Sequence, residues 1–121
     1  MAITVNTVTI GKGNRYGRTH WIKSATSADA SGNEELVAAV TGKSHYLEKI
    51  RVDMCPGATA ASFTINDAAA AVLGPIDLID TGGTAFEHEF LRPVKFTANQ
   101  AINIDTEAGD QIHVLIEGYT V

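Results

Sequence analysis

Residues 111–117 read Gln111-Ile112-His113-Val114-Leu115-Ile116-Glu117, and the even positions Ile112, Val114 and Ile116 form an unbroken apolar file. The odd positions mix His113 and Glu117 with Leu115. A repeat of two is the repeat of a strand with one face on a core and the other toward solvent. The same habit recurs upstream. Phe86, His88 and Phe90 alternate with Glu87, Glu89 and Leu91, and Tyr46, Glu48, Ile50, Val52 and Met54 share a face opposite Leu47, Lys49, Arg51 and Asp53. Shorter pairs repeat it: Phe63 with Ile65, Val94 with Phe96, Ile102 with Ile104. Turn-forming residues separate these pieces at Pro56-Gly57, Asn66-Asp67, Gly74-Pro75, Gly82-Gly83, Arg92-Pro93 and Ala108-Gly109-Asp110. About nine short strands at spacings of roughly 8–12 residues predict an all-β sandwich or barrel. Glu34–Val40 and Asp67–Val72 have helical propensity, but both are too short for an independent helix and are read as strands.

The chain has 121 residues, 45% of them apolar, which fits one domain and argues against wholesale disorder. A formal charge of −5 with no basic run disfavours nucleic acid as a partner. No uncharged apolar stretch approaches the roughly 18 residues needed to cross a bilayer, so no membrane partner is expected. The opening residues lack the basic-then-apolar order of a signal peptide. A single cysteine, Cys55, rules out an internal disulfide framework and a cysteine-based zinc site.

The first 23 residues differ from the rest and are read as an N-terminal arm (1–23) attached to a sandwich domain (24–121). The run Ile3–Ile10 is rich in β-branched residues, and Gly11, Gly13 and Gly17 follow as a flexible hinge. Lys12, Arg15, Arg18 and Lys23 concentrate positive charge in an otherwise acidic protein. Ile3, Val5, Lys12, Arg15, Tyr16 and Arg18 are therefore the candidate partner-contact residues, expected to engage an acidic surface in trans, the alternative being an ordinary first strand that completes its own sheet.

No catalytic, cofactor-binding or metal-ligating set emerges. Thr41-Gly42-Lys43-Ser44 resembles the end of a phosphate-binding loop, but position 37 is Val37 where that loop needs glycine, and a hairpin turn is the better reading. His20, His45, His88 and His113 are scattered and lack cysteine partners, and His88 between Phe86 and Phe90 reads as a hydrogen-bonded core residue. The acids of Asp105-Thr106-Glu107-Ala108-Gly109-Asp110 depart from the order of a calcium loop. Glu87 and Glu89, about 7 Å apart on one strand face, read as charges that keep an exposed strand from pairing edge to edge. The serines lack a nucleophile elbow.

The segment Glu35–Val121 resembles small phage virion proteins with a jelly-roll fold. The features that carry the resemblance are Glu35–Lys43 leading into Leu47–Val52, then Gly57–Ile65, then Ala71–Leu78 running into Gly82-Gly83. Asn99–Ile104 and the closing strand Gln111–Tyr119 complete it. These features span roughly 70% of the chain and are patterns of apolar residues and turns, not chemical signatures. The resemblance implies an antiparallel jelly-roll-like β-sandwich and a non-enzymatic structural role. That role is decoration or cementing of an assembled head, with the major capsid protein as partner, on the capsid surface of a virion made in the host cytoplasm. A homotrimer is expected, with Leu47, Leu91, Leu115 and Tyr119 as its candidate subunit interface, because these large apolar groups fall on faces opposite the core. The alternative is a tail or fibre component that binds a receptor or carbohydrate.

Overall fold

A computed structural model describes residues 4–9, 17–27, 32–54, 60–68, 70–79, 85–109 and 111–121. In chain order the strands are β1 (Thr4–Thr9), β2 (Thr19–Ser27), β3 (Gly32–Val37), β4 (His45–Met54), β5 (Ala60–Asp67), β6 (Ala70–Ile79), β7 (Ala85–Lys95), β8 (Ile102–Gly109) and β9 (Ile112–Thr120). They form two antiparallel sheets with orders β1-β2-β9-β4-β7 and β3-β8-β5-β6. Leaving out β1, the orders 2-9-4-7 and 3-8-5-6 are those of a jelly roll, a double sheet wound from Greek keys in which the chain crosses between sheets at every connection but β5–β6. The chain is thus an all-β jelly-roll sandwich with one extra strand at its N-terminal side.

The core follows from the register. Across the five-stranded sheet the inward rows are Trp21–Gly118–Leu47, Lys23–Ile116–Ile50–His88 and Ala25–Val114–Val52–Phe86. Ala61, Phe63, Ile65, Leu78, Ile102 and Ile104 face them from the other sheet. Interleaving of branched and aromatic groups from two inner faces is the packing that stabilises a sandwich. One position in this core excludes any side chain. A Cβ on Gly118 would collide with the Tyr46 carbonyl and lie 2.8 Å from the Trp21 ring.

Several sequence expectations are corrected here. The boundary after residue 23 falls inside β2, which pairs with β9 from Thr19↔Thr120 to Ser27↔Ile112. Residues 19–23 therefore belong to the sandwich. Residues 4–9 also pair in cis, as β1 on β2 from Thr4↔Thr26 to Thr9↔Trp21. The reading of β4 slips by one at Glu48. Between Leu47↔Gly118 and Lys49↔Glu117, β9 supplies no residue and β4 supplies one, so Glu48 is a bulge. A single extra residue flips the face of everything before it, which sends Leu47 into the core with Ile50 and Val52 and leaves Tyr46 outside. Asp67–Val72 is not one strand, because a turn at Ala68, with φ of 56°, separates β5 from β6. The turn at residues 41–42 links β3 to β4 in opposite sheets and is no hairpin.

The two free edges at one side, β6 and β7, are both interrupted. Between Leu47↔Val94 and Lys49↔Glu89, β4 has only Glu48 while β7 has Phe90, Leu91, Arg92 and Pro93. That excursion pushes Leu91 out of the sheet plane, where it is 103% exposed. On β6, Gly74 and Pro75 stand opposite the single residue Thr64 between Phe63↔Ile76 and Ile65↔Leu73. Leu73, Ile76, Phe86, Phe90 and Val94 close this side only partly. His88, expected in the core, is exposed on the β7 edge with its ring 4.6 Å from that of Phe90.

Candidate functional site

The ion pairs of the described residues all lie on the five-stranded sheet. Pairing register sets out its outer face in rows: Thr26–His113–Asp53–Ala85, Ser24–Leu115–Arg51–Glu87 and Ile22–Glu117–Lys49–Glu89. These are the outward positions of the same alternation that builds the core, so each row is a by-product of burying the row beside it.

Two depressions adjoin on this face and share Arg51 and Leu115. The larger, about 380 Å³, runs past Ser24, Thr26, Asp53 and His113. The smaller, about 130 Å³, is bounded by Lys49, Arg51, Glu87, Leu115 and Glu117. Arg51 Nε donates to Asp53 Oδ2 at 3.0 Å and its Nη1 to Glu87 Oε2 at 3.5 Å, while Lys49 Nζ lies 3.9 Å from Glu87 Oε1. The hydrogen bond to Asp53 raises the Arg51 pKa above its ordinary value, so the guanidinium stays charged. Thr26 Oγ1 and His113 Nδ1 are hydrogen-bonded at 3.0 Å. Exposed ion pairs of this kind add little stability. Their effect is to hold the side chains in a fixed pattern around Leu115, which is 39% exposed.

Above this region lies an aromatic stack. The Tyr46 and Tyr119 rings stack at 4.8 Å, the His20 ring sits 5.3 Å from Tyr119, and the Arg18 guanidinium covers Tyr119 at 4.6 Å. His20 Nδ1 lies 3.8 Å from Glu48 Oε1. The cation over the ring face is an electrostatic attraction to its quadrupole.

Beneath the stack is a buried polar relay. Trp21 Nε1 donates to Thr120 Oγ1 at 3.0 Å, and Thr120 Oγ1 lies 2.8 Å from His45 Nδ1. His45 Nε2 lies 2.7 Å from the carbonyl oxygen of Ala38. A carbonyl only accepts, so His45 carries its proton on Nε2 and Nδ1 accepts from the threonine hydroxyl. Burial lowers the His45 pKa, with the Lys23 charge acting the same way against the Ala38 hydrogen bond and Glu35. The imidazole is neutral and its role is structural. Ser44 and Val121 exchange backbone hydrogen bonds at 2.9 and 3.0 Å beside it.

The candidate residues read from the sequence do not converge. Val5 packs half-buried against the molecule's own core, because β1 pairs with β2 and turns that side chain inward. It is therefore not a free partner contact. Ile3, Lys12, Arg15 and Tyr16 lie outside the described residues. Arg18 is exposed and spent on the Tyr119 ring. Of the four interface candidates, Leu47 is core at 1% exposure, and Tyr119 is outward but covered to 7% by its stack. Leu91 and Leu115 remain as exposed apolar groups, separated by β4 between their strands. Sequence reading missed the relay, whose partners are 75 and 99 positions apart. It also missed the groove, although the outward positions of β4 and β9 that line it were legible in the alternation. Among the described residues no group of three or more histidine, cysteine or acidic side chains could hold a metal ion.

No family model matches the sequence, and no curated protein does. Among solved structures the chain is similar to the CBM22-1 and GH10 modules of Clostridium thermocellum endo-1,4-β-D-xylanase 10B, complexed with xylohexaose. Identity is 13% and the TM-score 0.35, over 97% of this chain and 24% of that one. The chain thus spans about a quarter of that protein's length, and a likeness this distant carries no argument about function.

Proposed function

We propose that this chain is a non-enzymatic phage virion protein that binds an assembled head as a decoration or cement protein, acting as a homotrimer on the major capsid protein. The observation that supports the reading is the jelly-roll strand order of β2–β9, the fold that the resemblance to phage virion proteins implies. The polar groups of the outer face are largely occupied with one another in ion pairs, an aromatic stack and the Thr26–His113 contact, which suits a scaffold more than a reactive centre. The test is sedimentation of purified protein with heads that lack it. Saturable binding at a fixed ratio to capsid subunits is expected, and absence of co-sedimentation at high micromolar protein overturns the reading.

One observation favours a second reading, a carbohydrate-binding component of a tail or fibre. The larger groove brings the hydroxyls of Ser24 and Thr26, the Arg51–Asp53 pair and His113 beside Leu115. Such a mixture of planar polar groups and an apolar floor suits a neutral polyhydroxylated ligand. Glycan-array binding that Asp53→Ala abolishes supports it, and a blank array against positive head binding rejects it.

A further inference from the structure

We propose that copies of this chain join through a knob and a socket: Leu91 of one copy seats in the 130 Å³ depression around Leu115 of the next. The inference deepens the trimer of the preceding reading and rests on it for the number of copies.

An exposed edge strand ordinarily recruits another strand. Here Gly74-Pro75 interrupts β6, and the excursion Phe90–Pro93 interrupts β7, so neither edge offers a continuous ladder. Contact at this side must run through side chains. The excursion presents one: Leu91, which is wholly exposed.

The socket matches it in size and in charge. The depression accommodates a branched aliphatic side chain and has Leu115 among the stems of Lys49, Arg51, Glu87 and Glu117. Glu87 is taken by Lys49 and Arg51. Among the described residues Glu117 holds no ion pair, and neither does Arg92, which is exposed beside the knob. Seating Leu91 brings Arg92 to the rim where Glu117 stands. Knob and socket are different patches, so the contact is heterologous, and repeating it with a rotation that closes generates the ring of the trimer. Both involve β7, which supplies Glu87 to the socket and Leu91 to the knob, so both patches can converge on one symmetry axis.

The experiment uses full-length protein in light scattering and sedimentation velocity, with folding checked by circular dichroism. Wild type is expected to be a trimer. Leu91→Glu and Leu115→Arg each change an exposed residue and are each expected to give folded monomers. Mixing the two variants restores one intact contact, knob from Leu115→Arg and socket from Leu91→Glu, and is expected to give a one-to-one dimer. Wild-type protein that stays monomeric at high micromolar concentration overturns the contact, and so does a Leu91→Glu variant that keeps the wild-type mass. Co-sedimentation with heads is run alongside. Head binding by a monomeric wild type sinks the knob and socket while leaving the head-binding reading in place, and a trimer that ignores heads does the reverse.

Discussion

The two ends of the inward rows are built on opposite principles. At the β2 end, Trp21, Thr120, His45 and the Ala38 carbonyl satisfy one another in a continuous chain, and the absence of a side chain at Gly118 leaves the room that the indole occupies. At the β7 end, the rows finish on His88 and Phe86, exposed and half-buried, and the edge carries a wholly exposed leucine. The first arrangement specifies one conformation, since its polar groups are paired in series and breaking any link leaves a donor or acceptor without its partner. The second tolerates change. A difference of this kind separates the part of a fold that stores stability from the part left free to meet something else.

Breaking the closed end should produce the largest effect. Trp21→Ala removes the ring from the core and the donor from Thr120, and is expected to cost about 3–5 kcal/mol in denaturant unfolding. Gly118→Ala forces a methyl toward the Tyr46 carbonyl and the indole, with an expected loss of about 1–3 kcal/mol. Acidification should weaken the same end. The folded state holds His45 neutral, whereas the unfolded chain takes up a proton at its ordinary pKa of 6.5, so protons favour unfolding. The stability is fully present above that value and is lost as pH falls toward the lowered folded pKa. A midpoint denaturant series from pH 7.5 to 5.5 should show the decline, and His45→Gln should flatten it. At the open end, Leu91→Ala should change the stability of dilute protein by no more than about 0.5 kcal/mol. A loss there comparable to that at Trp21 would erase the contrast.

Legibility in the sequence follows the same division. The even file of β9 and the pair Ile102 and Ile104 in β8 are buried as their alternation requires, and these strands set the sandwich. Bulges were not legible. Glu48 is extra only relative to β9, and residues 90–93 are extra only relative to β4, so each exists in a pairing and not in a segment. Tyr119 occupies an outward position yet is buried, because Tyr46, His20 and Arg18 reach it from neighbouring strands and the β2 entry. The arm boundary misled for a related reason: Thr19–Lys23 has weak alternation of its own and becomes a strand by pairing with β9. Local composition reports burial well when one face is apolar, and poorly when a distant strand decides the register.

The position of β9 has a consequence for how the molecule comes into being. It lies between β2 and β4 and pairs with both, yet it follows β1–β8 in the chain. In the folded sheet β2 and β4 do not pair with each other but each with β9. The larger sheet is complete only once residues 112–120 enter between them, so the strand at its middle comes later in chain order than both of its neighbours. Such closure is dominated by contacts distant in sequence, the class that folds slowly and exposes strand edges while it waits.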